Sequence, residues 1–378
     1  MKIAMLSRNF SPSKGGAEKY AVELAKELSK HHDIHIYCQE TNFPIPGITY
    51  HHVARIPYRL RWLNQLLFSL LTWLKTRNKF DIVHSHEHVW HGNVHTMHVR
   101  PVRAGIYKNY QGLKYVLRWL NVLTSPRHLT YLWLERMRIR NHPSHGLVFV
   151  TDSLYDEFAA YYSNIASHCS VIPPGVDISK TLRSQQECRV QLDWPQGQTY
   201  LLFVANDFER KGLQNLLLAL CKLKPSIMLA VIGQSNHYAA FESQVYKFNL
   251  TNRVHFYGQQ EDISVFYSAA DLLVHPTLED SFGMVVLEAM LHKLPVLVSD
   301  STFCGFVHQL RDGVHIKTIQ DPRNPTQLSE DIDHLLQDFP LQKILIENSH
   351  HLTFSHSWET VALKYEDYYQ QIIKNRYH

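Results

Sequence analysis

The chain has 378 residues, 45% of them hydrophobic, and a formal net charge of +4. That length suits two cores rather than one, and the composition excludes general disorder. Five scattered cysteines, odd in number and without CxxC spacing, exclude a disulfide framework and fit reduced thiols in a cytoplasm.

The first stretch, MKIAMLS, reads as a strand rather than a secretion signal. The longest apolar run of the N-terminal half, Leu66 to Leu74, is far below the ~18 residues that cross a bilayer. A strand over 2–6 gives way to Gly15-Gly16 and a helix over 17–29. A glycine pair there lets backbone approach a ligand closely. Strands follow at 34–37 and 81–85, with an amphipathic helix over 60–75 between them.

Six histidines then cluster: His84, His86, His88, His91, His95 and His98. The first three alternate as strand residues do and could face a metal together, but the whole chain holds 26 histidines and no HExxH pattern accompanies these. No DxD-type metal motif stands in a loop either, so no metal or other cofactor is expected.

Charge is uneven. Residues 55–80 hold six Lys/Arg and no acid, and residues 101–140 hold eight against the single Glu135. The two stretches carry +13 between them, so the remainder carries −9. Both are rich in Tyr and Trp. Basic and aromatic residues at this density point to an anionic membrane surface ahead of nucleic acid, with solvated helices and ordinary core aromatics as the bland alternative.

A strand over 146–151 and the stiff turn Pro173-Pro174-Gly175 close the first half. After it the same alternation restarts. Strands over 200–204, 227–232, 254–257, 272–274 and 295–298 are separated by helical stretches, and Arg210-Lys211-Gly212 opens the first helix. The pattern predicts two doubly wound α/β domains facing a cleft, 1–175 and 176–357, with an aromatic helix from 358 packing back on the first. The loop Glu279-Asp280-Ser281-Phe282-Gly283 opens a helix from Met284, and Glu288 follows Asp280 after seven residues. A helix N-terminus offers unpaired N–H groups to an anion, while the two carboxylates suit hydroxyl groups. A sugar joined to a diphosphate needs both.

Gly15-Gly16-Ala17-Glu18, VIPPGVD before 178, Arg210-Lys211-Gly212 and EDSFGMVVLEAM together resemble the retaining glycosyltransferases of family four, which have the GT-B fold. Within that family the VANDFERKG segment and the basic insert are most similar to the lipopolysaccharide core glucosyltransferases that act on inner-core heptose. The resemblance implies transfer of a hexose, glucose above others, from a UDP-sugar to a lipopolysaccharide core or other glycolipid acceptor. The first domain would take the acceptor and the second the nucleotide-sugar.

It also implies roles. Gly15 and Gly16 would lie against the donor diphosphate, and Arg210 and Lys211 would bind its oxygens. Glu288 would hold the ribose, and His98 would sit beside the donor sugar. Asp280 takes the position of the first acid, where the family has Glu, so neighbouring Glu279 is open as a sharer of its role. The stretch Ser281, Phe282, Gly283 and Met284 would contact sugar and phosphate. Partners would be the donor, a glycan acceptor and the anionic inner face of the cytoplasmic membrane through residues 101–140, without nucleic acid. A nucleotide-sugar epimerase and a non-catalytic sugar-nucleotide module share the architecture and stand as alternatives.

Overall fold

Strands buried on both faces read as unbroken apolar runs, and here one residue set serves each face. In Thr199–Val204, Tyr200, Leu202 and Val204 enter one core while Leu201 and Phe203 enter another. Lys2–Leu6 does the same, with Ile3 and Met5 in one core and Ala4 and Leu6 in the other. The computed structural model describes residues 1–12, 15–56, 60–107, 112–140, 142, 145–163, 165, 169–178 and 182–376. It divides into two compact units, 1–175 with 358–378, and 176–357.

Among the described residues, the first unit holds a parallel sheet in the order Thr49–His52, Asp33–Cys38, Lys2–Leu6, Ile82–Ser85, Val94–Met97, Gly146–Phe149 and Cys169–Val171. The second unit orders Val254–Gly258, Ile227–Ile232, Thr199–Val204, Leu272–His275, Val296–Ser299 and Lys317–Ile319, again all parallel. In both, chain order reverses beside the first strand. The loops leaving the first and fourth strands therefore emerge side by side, where open α/β sheets bind ligands. The two sheets and their helices make the GT-B class expected from the sequence.

Element ends differ from expectation by one or two residues, each for a local reason. The strand expected over 146–151 stops at Phe149 because Thr151 accepts the Leu154 N–H at 3.2 Å and caps the helix Asp152–Tyr161. The last helix, Trp358–Arg376, lies on the first unit. It buries Trp358, Val361, Tyr365, Tyr368, Tyr369 and Ile372, and a Cβ at Gly146 would clash with Tyr368 and Ile372.

The basic stretch 101–140 forms three helices, Val102–Tyr107, Gly112–Leu123 and Pro126–Arg138. Its acid and one of its cations are internal. Glu135 accepts the Val102 N–H at 2.6 Å and the Tyr162 hydroxyl. Arg138 is 3% exposed and reaches His88 Nδ1 at 3.0 Å and the Thr96 carbonyl at 3.2 Å. Arg138 therefore does not contribute to a charged surface.

Much of the histidine cluster is engaged by polar partners. His84 contacts Thr96 Oγ1 and the Tyr369 hydroxyl, both at 2.7 Å, and Tyr365 joins Thr96 Oγ1 at 2.7 Å and the Tyr20 hydroxyl at 3.0 Å. His86 Nδ1 lies 3.0 Å from His98 Nε2. Among the described residues no three His, Cys, Asp or Glu side chains are placed to hold a metal ion.

Burial drives His84 down to about 3, helped by His98, and burial drives His98 to about 3, helped by Arg138. The folded unit keeps both neutral, whereas the unfolded chain takes up protons below about 6.5. Their contribution is therefore complete above pH ~6.5 and is lost as pH falls toward 3. At pH 5 each histidine costs about 2 kcal/mol relative to neutral pH. Thermal melts at pH 7.5, 6 and 5 should show the transition of the first unit falling steadily, and less steeply in His84→Gln. A transition that stays put down to pH 5 would refute the neutral buried pair.

Candidate functional site

In the second unit the loop after Thr199–Val204 and the loop after Leu272–His275 touch through backbone. Leu278 donates its N–H to the Arg210 carbonyl at 2.9 Å. Gly212 has φ +80, and a Cβ there would run into the Pro276 carbonyl oxygen. Only glycine satisfies both the left-handed backbone and the close approach.

This contact delivers Lys211 to the acidic loop. Its ammonium lies 2.7 Å from Asp280 Oδ2 and 2.9 Å from the Glu279 carbonyl oxygen. His275, the last residue of its strand, puts Nε2 3.1 Å from the same Oδ2. Asp280 Oδ1 accepts the Phe282 N–H at 3.3 Å. Burial would push the Asp280 carboxyl up, but the charge of Lys211 and the bond from His275 prevail and hold it well below the usual carboxylate range. His275 is itself pushed down by burial, against the pull of Asp280. A neutral imidazole thus donates to an ionised carboxylate that also holds an ammonium.

Gly283, at φ +101, begins the helix Met284–Leu291, and no side chain caps it. A Cβ on Gly283 would lie 2.6 Å from Cys304 Sγ, so the turn is closed from behind. Phe282 stacks on Phe306 at 4.6 Å and fixes the backbone, leaving Ser281 and Met284 partly exposed beside it. Glu288, one turn into the helix, accepts the Tyr267 hydroxyl at 2.8 Å. Arg210 shares the loop of Lys211, but its guanidinium extends to Asp207 at 3.4 Å and is 53% exposed. Lys211, Glu279, Asp280, Ser281, Phe282, Gly283 and Met284 are thus brought together, with Glu288 and Arg210 at the edges.

The remaining candidates belong to the first unit. Gly15 caps the helix Gly16–Leu28 in extended backbone, and a side chain at Gly16 would meet nothing within 4 Å. The chain itself does not demand glycine at 16, and the space over it is open. His98 is in contact with His86 and lies edge-on to Tyr20, ring centres 5.1 Å apart. Here too a cation from the first loop meets an acid from the fourth: Arg8 donates N–H and Nε–H to Glu87, each at 2.9 Å.

Sequence reading missed His275, Tyr267 and the Arg8–Glu87 pair. The signal for His275 was its position at the C-terminal end of the fourth strand, beside the switch point where such sheets bind ligands.

Chemically, the second unit can offer one phosphate oxygen an ammonium and a helix N-terminus, with a carboxylate fixing the ammonium. Residues 184–352 match the family model "Glycosyl transferases group 1", and residues 14–180 match "Glycosyltransferase Family 4". The lipopolysaccharide glucosyltransferase WaaG of Escherichia coli (strain K12) is 32% identical over 238 residues, which are 61% of this chain and 63% of that relative's length. A crystal structure of WaaG, described as involved in lipopolysaccharide biosynthesis, superposes with TM-score 0.82 at 24% identity, covering 97% of this chain and 98% of that one. Anabaena HepE, solved with UDP and glucose, gives TM-score 0.74 at 19% identity over 97% and 98%. The epimerase alternative gains nothing, since both family models are those of glycosyltransferases.

Removing Lys211 strands a buried carboxylate, so Lys211→Ala should destabilise the second unit by roughly 3 kcal/mol. Adding Asp280→Asn should recover most of that loss. Denaturant midpoints of the three proteins test the coupling, and a double variant no more stable than Lys211→Ala would deny it.

Proposed function

This chain belongs to the GT-B glycosyltransferases, and we propose that it moves a hexose, glucose above others, from a UDP-sugar to a lipopolysaccharide core or other glycolipid acceptor with retention of anomeric configuration. The observation that carries the reading is the Lys211–Asp280–His275 cluster, set beside the uncapped start of Met284–Leu291. WaaG supplies the acceptor class and HepE the UDP. The second unit takes the donor, with Glu288 on the ribose, and the first takes the acceptor, with His98 and the Gly15-Gly16 turn as its candidate site residues.

In this reading the bond between the anomeric carbon and the diphosphate oxygen breaks as the acceptor oxygen attacks on the same face. The acceptor's proton passes to the departing phosphate oxygen. Stabilising the negative charge left on the phosphate is the principal contribution, and Lys211, Arg210 and the helix N–H groups provide it without a metal. Asp280 keeps the ammonium aimed, its Oδ2 being shared by Lys211 and His275.

Lys211→Ala/Asp280→Asn, the variant expected to recover most of the stability, should still lose ~10²–10³ in turnover of UDP-glucose, the scale of one charge-stabilising donor. Excess chelator should leave unaltered enzyme active. Activity within a few-fold of the unaltered chain in the double variant would reject the diphosphate assignment, and loss in chelator restored by a divalent cation would reject metal-independent transfer.

The second part of the proposal is peripheral attachment to the inner face of the cytoplasmic membrane through residues 101–140. No described helix is long and apolar enough to cross a membrane. Gly112–Leu123 buries Val122 but leaves Leu113 74%, Leu117 58% and Leu120 49% exposed, with Val116, Trp119 and Leu123 similarly open. Apolar side chains flanked by cations suit a helix lying in the headgroup layer, where each cation adds ~1 kcal/mol. Co-sedimentation should show attachment to phosphatidylglycerol vesicles and little to phosphatidylcholine. Salt should weaken it only in part, because apolar burial is not screened. Leu117→Asp/Leu120→Asp should abolish it, and Lys114→Gln/Arg127→Gln should weaken it at low salt and flatten its salt dependence. Equal attachment to both vesicle types would remove the electrostatic component.

A further inference from the structure

The first unit has a cavity of about 790 Å³ that no role above uses. Three cations line it, from three segments: Arg103 on the helix Val102–Tyr107, Arg136 on Pro126–Arg138, and Arg140 just beyond that helix. Tyr161, Tyr162 and Met137 supply its walls. None of the three arginines has an ion-pair partner among the described residues, although nearby Arg100 pairs with Glu157 at 3.1 Å.

The carboxylate beside the cavity is withdrawn from them. Glu135 is fully buried and turns its oxygens to the Val102 and Arg103 N–H groups and to the Tyr162 hydroxyl. Arg103 is held in place: its Nη1 donates to the Tyr161 carbonyl at 3.1 Å and its guanidinium lies 5.9 Å from the centre of the Tyr162 ring. Like charges gathered in one concavity repel, and a chain that gains nothing from them there would separate them or pair them with acids. Guanidinium groups in that arrangement match the fork geometry of phosphate oxygens, and an aromatic wall suits a sugar face or an acyl stem.

We propose that this cavity binds a phosphate group, on the acceptor glycan or on a lipid headgroup, through Arg103, Arg136 and Arg140. The proposal rests on the transferase reading for the acceptor alone, not for the oxyanion. The phosphate belongs either to the glycan or to a lipid headgroup, and these two sources can be told apart.

Pyrophosphate is titrated calorimetrically into the full chain with UDP already saturating the donor site. The unaltered protein should bind it saturably, and Arg136→Gln/Arg140→Gln should bind it ~10-fold or more weakly. Both residues are exposed, so the variant keeps its fold, which circular dichroism verifies. Arg136→Lys/Arg140→Lys keeps the charge without the fork and should fall between the two. UDP binding is measured first and alone. Its absence counts against the transferase reading, while the arginine dependence of pyrophosphate binding is scored on its own.

Vesicles of phosphatidylcholine and phosphatidic acid then separate the sources. Release of the protein by pyrophosphate assigns the site to a headgroup, and attachment unchanged by pyrophosphate assigns it to a glycan phosphate. No saturable pyrophosphate binding, or equal binding by the Gln variant, overturns the proposal.

Discussion

Asp280 can remain ionised in a nearly closed site because Lys211 and His275 reach the same oxygen, and that arrangement depends on the order of the sheet. The two residues come from loops more than sixty positions apart. They meet because Thr199–Val204 and Leu272–His275 are neighbours at the point where strand order reverses. Each link in this chain of dependence is steric. Glycine at 212 lets one loop lie on the backbone of the other, and glycine at 283 lets the acidic turn lie on Cys304. Electrostatics then selects the side chains: an ammonium and a neutral imidazole offset the burial of a carboxylate that neither could stabilise as well alone.

The first unit solves the same geometric problem with different groups. Arg8 and Glu87 occupy the corresponding loops, and their pairing is two-pronged, through backbone and side chain. Beneath them, Tyr20, His84, Thr96, Tyr365 and Tyr369 form a buried polar chain that ties the last helix to the sheet. Such a chain specifies one docking of that helix, since a shifted register would leave several buried hydroxyl and imidazole groups without partners. The same feature makes the unit sensitive to acid. Burial, which keeps the imidazoles neutral, is the source of both effects.

The basic insert shows how little a count of charges says about a surface. Of its charged groups, Glu135 and Arg138 are internal and serve structure. The apolar residues of Gly112–Leu123, which a helical wheel would place in a core, are mostly outside. A helix that exposes its apolar side and a cavity lined by arginines are neighbours in sequence, and both offer contacts to an amphiphile with an anionic head.

The sequence by itself determined the class of fold. Alternating apolar strands and amphipathic helices admit few architectures, and both faces of each parallel strand had to be buried. It also located the loops of the candidate site, because glycine, acids and cations at strand ends carry local chemical meaning. It could not reveal what each of those side chains would touch. Lys211 looked like a free cation for phosphate, and only the tertiary contact with Asp280 shows its charge already engaged. His84, His86 and His88 looked like possible metal ligands, and only packing shows them engaged elsewhere, His84 with Thr96 and Tyr369, His86 with His98, and His88 with Arg138. Periodicity is a property of neighbours in sequence. Pairing, burial and the ionisation they impose are properties of neighbours in space, and those are decided when the strands find their order.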